Sequence, residues 1–279
     1  PKNGAFLSEL TKKQLLSSLK NYSIAGIVPS FVDLMFLYVE IDSTVYYDSN
    51  FVGDKDTLQT NILNSLSSYA SGTELNKFGG RFKYSKILSV IDNVDTAVTS
   101  NISLVKMRRN INSKINQFAQ YELCFLNQMY APDPQYNIHS TGFNVSNVVG
   151  TCYFSDTKID DDHGTLFMFQ ILSDDSIKVL SNNFGRIDYK KGEIVLDTVN
   201  ITGTIVEDNV VEVEAVPLSN DVLARNELYL QFDIAKSNFR MREDTISTGA
   251  DTSGSRYNPQ SSYFADKKVR GTIITSNVG

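Results

Sequence analysis

The sequence has no tryptophan, two cysteines, two histidines and six prolines in 279 residues. Each scarcity removes a class of function. Without Trp, the strongest flat stacking surface for sugars is missing. Cys124 and Cys152 form no CxxC pair and no disulfide framework. Both sit in apolar stretches and read as buried free thiols, which suits a chain assembled in a cytoplasm. His139 and His163 lie far apart, so nucleophilic catalysis finds no paired Ser/His or Cys/His constellation. The GxSxG, HExxH, Walker and GxGxxG patterns do not occur. No residue is assigned as catalytic, cofactor-binding or metal-ligating, and the chain reads as a non-enzyme.

Positive charge is also in short supply, with 26 Lys and Arg against 32 Asp and Glu, a net charge of -6. Nucleic-acid binding needs a clustered basic surface. The densest basic patch, Lys106, Arg108 and Arg109, reads as a solvated strand end. No apolar run reaches the ~18 residues of a membrane span, and no signal-peptide core opens the chain. The abrupt start at Pro1-Lys2-Asn3 reads as the interior of a longer polypeptide.

What is abundant is Ser, Thr and Asn, alongside 41% hydrophobic and 11% aromatic residues, a mix suited to strands and polar turns. A short helix is expected after Thr11, capped with Gln14 and edged by Leu15, Leu16 and Leu19. From Phe31 to Tyr47 the period is two: Leu37, Val39 and Ile41 alternate with Tyr38, Glu40 and Asp42, predicting a strand with one wet face. Asp56 and Gln59 then suggest a capped helix with Leu58, Ile62, Leu63, Leu66 and Tyr69 on one face. A second helix opens at Ser85 with Ile87, Leu88 and Ile91 inward, and a strand through Ile102, Leu104 and Lys106 follows.

Beyond Asn112 the helical period disappears. Strand-like runs at Phe118–Leu126, Thr151–Ser155, Leu166–Leu172, Ile177–Leu180, Arg186–Tyr189, Glu193–Leu196, Val210–Val216 and Glu227–Ile234 are separated by turn residues. The turn Tyr189-Lys190-Lys191-Gly192-Glu193 signals a hairpin with Gly192 in the left-handed conformation, setting Ile187 and Tyr189 opposite Ile194 and Leu196. The fold class is therefore α+β. A small α/β sandwich (strand, helix, helix, strand) spans 1–112, a β-rich sandwich-like module 113–244, and a partly extended tail 245–279. In that tail, Lys268 to Thr275 is long enough for a strand. With Tyr263, Phe264, Val269, Ile273 and Ile274 as anchors, it is expected to join a sheet edge of its own module or of a neighbouring subunit.

One polar cluster invites a metal: Asp160-Asp161-Asp162-His163. Its spacing is wrong for a calcium loop, and consecutive residues of an extended chain point in opposite directions. A hydrophilic hairpin tip is the better reading, with a metal-dependent hydrolase centred there as a weaker one. A receptor- or glycan-binding β-sandwich module is a further alternative, and requires an exposed aromatic groove.

The segment Ser23 to Ile111 resembles the baseplate J-like proteins of contractile tails. Tyr38–Ile41 looks like their first strand, Leu58–Tyr69 their helix, Phe78-Gly79-Gly80-Arg81-Phe82-Lys83-Tyr84-Ser85 the turn into the second helix, and Asn101–Met107 the return strand. Within that family, Val39–Tyr47, Lys77–Leu88 and the hairpin Gly185–Gly192 are similar to wedge proteins of T-even-like phages, whose large amino-terminal part looks absent. The resemblance implies a virion structural protein of the tail baseplate, assembled in the host cytoplasm. It implies pairing with itself as a homodimer and linking of wedges into the ring around the tail hub during host attachment. Other wedge proteins would be its partners, with no cofactor, nucleic acid, membrane or small-molecule substrate.

Overall fold

Alternation of apolar and polar side chains makes Met35–Tyr47 a strand, and the computed structural model places strand β1 over those residues. The structure describes residues 9–24, 27–29, 35–132, 136–225 and 228–244. The tail, and the strand expected from Lys268 to Thr275, lie outside the described residues. The chain is mostly β, sheet-rich and sandwich-like, with few helices.

Residues 1–35 and 36–279 form two units. The first contains helix α1 (Glu9–Lys20), in which Thr11 lies inside the helix, not at its cap. The second carries, after β1, helix α2 (Lys55–Ala70), β2 (Arg81–Phe82), α3 (Tyr84–Asp92), β3 (Val98–Asn112) and β4 (Gln117–Cys124). Next come β5 (His139–Ser140), β6 (Phe143–Val145), β7 (Tyr153–Lys158), β8 (His163–Ile171), β9 (Ile177–Asp188) and β10 (Glu193–Thr204). Last are β11 (Val210–Ala215), β12 (Val222–Leu223), β13 (Leu228–Phe232) and β14 (Asn238–Glu243). The expected runs at 177–180 and 186–189 are one strand, β9.

Two six-stranded sheets organise the described residues of this unit. The first runs β13-β1-β3-β11-β5, with β14 also on β1, and the second β4-β10-β9-β8-β7, with β6 also on β10. Residue 112 thus marks the point where the chain leaves the first sheet for the second. The chain then returns: β5, β11, β13 and β14 all join β1 and β3, because two strands alone leave open edges and an uncovered face.

One face of the first sheet is apolar. Val39 stands opposite Met107 and Ile41 opposite Val105. Leu58, Ile62 and Leu66 of α2 and Ile87 and Ile91 of α3 are buried in the same cluster. Leu63, Tyr69 and Leu88, expected on those faces, are only half-buried. The cap of α2 is Asp54, not Asp56: its carboxylate accepts the N–H groups of Asp56 (3.3 Å) and Thr57 (3.0 Å). Gln59 instead donates to the Phe239 carbonyl at 3.0 Å, tying α2 to β14. Helix α3 begins one residue before Ser85, and the Tyr84 N–H donates to Asp221 at 2.8 Å. A side chain 137 positions away does the work that no local residue performs.

The β9–β10 hairpin forms as the turn chemistry dictates, with Gly192 at φ 72°. A Cβ there would lie 2.1 Å from the Asn127 carbonyl oxygen, so only glycine fits. The register differs from expectation in part. Ile187 does face Ile194, but Leu196 faces Gly185, while Tyr189 belongs to the turn. Its hydroxyl donates to Asp156 at 2.6 Å inside the core. That carboxylate also accepts the N–H groups of Asn137 (2.8 Å) and Ile138 (2.7 Å), stitching segment 136–138 to β7.

Candidate functional site

The opposite face of the first sheet is charged, and it is not wet. Cross-strand register sets Tyr38 beside Arg108 and Glu40 beside Lys106, then Arg108 beside Glu214 and Asn110 beside Glu212. The turn between β13 and β14 lies along β1: Asp233 N–H donates to the Val39 carbonyl at 2.8 Å, and Ile41 N–H to the Ser237 hydroxyl at 3.1 Å. That turn brings Asp233 and Lys236 over the strands. The expected wet face and the expected solvated basic strand end are therefore both corrected: Glu40 is 3% exposed, Arg108 2% and Arg109 8%.

Arg108 is the hub. Its Nε donates to Glu40 at 2.5 Å, one Nη to Glu212 at 3.0 Å and the other to Asp233 at 2.6 Å. Its guanidinium carbon lies 4.1 Å from the centre of the Tyr38 ring, a cation–π contact. Lys236 pairs with Glu212 and Lys106 with Glu214. Burial works against the Arg108 charge, but the Glu40 hydrogen bond and the surrounding carboxylates hold its pKa above the usual value. For Glu40, burial pushes the carboxyl up and outweighs the opposing pull of Arg108.

Such a cluster fixes register more than it does chemistry. A one-residue slip of β1 against β3 would swing these charges onto the apolar face. Arg109, the next residue, shows the alternation from the other side. It points into the core face, where an Nη donates to the Phe36 carbonyl at 3.0 Å, and burial lowers its pKa.

The Asp160–His163 segment is the tip joining β7 to β8. Asp160 folds back on its own turn and accepts the N–H groups of Asp162 (2.8 Å) and His163 (2.6 Å), and those bonds lower its pKa. Asp161 pairs with Lys158 at 2.7 Å, and Asp162 with Lys190 at 3.5 Å. Three carboxylates with three different partners do not converge on one point. His139 sits elsewhere, on β5 opposite Glu214. Cys152 is buried, Cys124 only half-buried on β4, and both are free thiols.

The outer face of the second sheet carries a groove of about 680 Å³ crossing β4, β10, β9 and β8. Glu122, Glu193, Arg186, Asp188, His163 and Thr165 line it with Ile and Val. Its lining contains no Phe, Tyr or Trp, the stacking surface that the glycan-binding alternative requires.

Nothing local in the sequence marks Glu40, Arg108, Glu212 and Asp233 as partners. The available signal was opposite charge at every second position of neighbouring strands, Tyr38-x-Glu40-x-Asp42 against Lys106-x-Arg108-x-Asn110.

Comparison with known proteins returns the β1–β3 unit. Residues 35–110 match the family model described as baseplate structural protein gp6, C-terminal domain III. The baseplate wedge protein gp6 of Enterobacteria phage T4 is 25% identical over 114 residues, covering 40% of this chain and 17% of that protein. The match therefore spans less than a fifth of the relative's length.

Proposed function

We propose that this chain is a structural component of a contractile-tail baseplate wedge, working by docking and not by catalysis. The observation that carries this reading is the match of residues 35–110 to a baseplate structural domain, over the segment that runs from β1 through α2 and α3 into β3. The buried charge cluster supports it from the physical side. Arg108, Glu40, Glu212 and Asp233 satisfy one another, as a rigid scaffold requires and a reactive site does not. In finer detail, the chain pairs with itself as a homodimer and binds other wedge proteins. It links wedges into the ring around the tail hub during assembly, host attachment and genome ejection. Kinship with T-even wedge proteins and the baseplate J-like family, and assembly in the host cytoplasm before incorporation into the virion, belong to the same proposal.

Light scattering coupled to size exclusion tests the self-association directly. A homodimer is expected, burying on the order of 1,200–2,000 Å² in total about a two-fold axis. A chain that stays monomeric at high micromolar concentration, and fails to co-elute with purified wedge proteins of a contractile tail, overturns the proposal.

A further inference from the structure

Open sheet edges invite other strands, and folded proteins shorten, charge or cover them. Three of the described edges are managed in these ways. On the β13 side, Leu230 N–H donates to Lys77 O and Phe232 N–H to the Asn76 side chain, so the 76–80 loop covers it, while β14 carries Arg240, Arg242 and Glu243. At the far end, β5 is two residues long. On β7, Phe154 N–H donates to the Ser140 hydroxyl and the Ser155 hydroxyl to the Ile138 carbonyl.

Strand β4 is different. It is eight residues long, QFAQYELC, with one charge and no Lys, Arg or Pro. It pairs only with β10 among the described strands. Gln117, Phe118, Gln120 and Glu122 are exposed, Phe118 at 73%.

We infer that the free edge of β4 accepts residues 268–275 from a second copy of this chain, antiparallel, with Arg270 opposite Glu122. This rests on the self-association proposed above and names the strand that performs it. The pairing follows from size and charge in the sequence. In this register the face holding Phe118, Gln120 and Glu122 meets Ile274, Thr272 and Arg270: an apolar pair, a polar pair and an opposite-charge pair. On the other face, Leu123, Tyr121 and Ala119 meet Val269, Gly271 and Ile273, so the bare glycine lies under the ring of Tyr121 and the small alanine under isoleucine. Lys268 and Arg270 bring two basic charges to a strand whose own charge is Glu122, with Glu193 one strand further in, opposite Cys124.

Reach favours a second copy as donor. Asp244 N–H bonds the Tyr47 carbonyl, and Tyr47 stands opposite Val98 at the start of β3. Strand β4 leaves from the other end of β3. The 15 residues of β3, at about 3.3 Å each, separate those ends by about 45 Å. A flexible chain as long as the stretch from 244 to 268 would span about 27 Å on average. Stretched fully, to about 80 Å, it also spans that distance within one chain, so the experiment must separate the two donors. Reciprocal donation about a two-fold axis covers both edges at once and closes the pair.

The register places residue 268 opposite the native Cys124, within the Cα separation a disulfide accepts. A chain carrying Lys268→Cys and Cys124→Ser is mixed with the unmodified chain and mildly oxidised, and disulfides are mapped by peptide mass. A disulfide dimer joining residue 268 of one chain to Cys124 of the other is expected. Lys267→Cys in the same background, one residue off and on the opposite face, is expected to give little. Arg270→Glu should lower the yield several-fold, and Glu122→Arg in the acceptor should restore it. Lys268→Cys alone, giving a disulfide within one chain, assigns the edge to the chain's own tail and overturns the inference. So does a chain that dimerises by light scattering yet forms no disulfide dimer, an outcome that leaves the self-association itself standing. Equal yields from the two cysteine positions also overturn it.

Discussion

The cluster around Arg108 and the turn at Asp160 are both dense in charge, and they are opposites. At the turn, three consecutive aspartates carry the charge and part company: Asp160 bonds back to its own turn, Asp161 pairs with Lys158 and Asp162 with Lys190 of the neighbouring hairpin. At Arg108, the charges come from four separate segments and meet at hydrogen-bond distance with almost no solvent. Adjacency in sequence produced divergence, and separation in sequence produced a site. The reason is the pleat: neighbours along a strand face apart, while neighbours across a sheet face together.

That contrast breaks most visibly if Arg108 is removed. Arg108→Met should destabilise the fold by about 3–5 kcal/mol, because Glu40 and Asp233 then lose the guanidinium they share and Glu212 keeps only Lys236. Chemical denaturation at neutral pH measures it. The loss should shrink on acidification. Burial already holds the Glu40 carboxyl above its ordinary value against the pull of Arg108; without that pull it rises further, so the penalty develops as pH rises and is absent where Glu40 is protonated in both states. A variant as stable as the parent at pH 7 would mean that the cluster contributes no net stability.

The other face of the same sheet gives the next largest effect. Leu66→Ala removes a fully buried side chain of α2 and should cost about 2–5 kcal/mol, whereas Ser67→Ala, on the exposed side, should leave the denaturation midpoint nearly unchanged. Equal effects would mean that the helix packs by a different face.

This helix face was legible in the sequence because a 3.6-residue period reports burial directly. So was the order strand, helix, helix, strand, and so were the turn glycine at 192 and the run of later strands. The Arg108 cluster was not legible. Polar residues at alternate positions of Met35–Tyr47 look the same whether they face water or a second polar layer. Only the return of Asp233 and Lys236, more than a hundred residues after β3, decides which. The cap of α3 was not legible for the same reason, since Asp221 supplies it from afar.

Glu40 sharpens the account of the buried cluster with a smaller effect. Its carboxyl is pushed above its ordinary value of 4.5, by burial first. A raised folded-state pKa contributes stability that is fully present below the unfolded value and is lost as pH rises through the folded value. The stability difference between the parent and Glu40→Gln should therefore favour the parent most near pH 4 and shift toward the glutamine variant as pH rises. Denaturation curves taken in steps from pH 4 to 7 read the sign. A parent advantage that grows over that range would show that the attraction of Arg108 outweighs the cost of burying the carboxylate.

The Asp160 turn should give the smallest response, and that near-silence is itself informative. Asp160 caps its own turn, Asp161 is held by Lys158 and Asp162 faces Lys190, so a divalent cation would have to break several of these contacts to gather its ligands. Calcium ordinarily takes six to eight oxygens at about 2.3–2.6 Å. The turn offers carboxylates already committed to backbone N–H groups and lysines. Chelation with EDTA should therefore leave the melting temperature where it was, and added calcium should not move it. A fall of several degrees on chelation, reversed by calcium and abolished in Asp160→Asn, would show that the three carboxylates swing together around a metal. The turn would then have to be regrouped with Arg108 as a second convergent site.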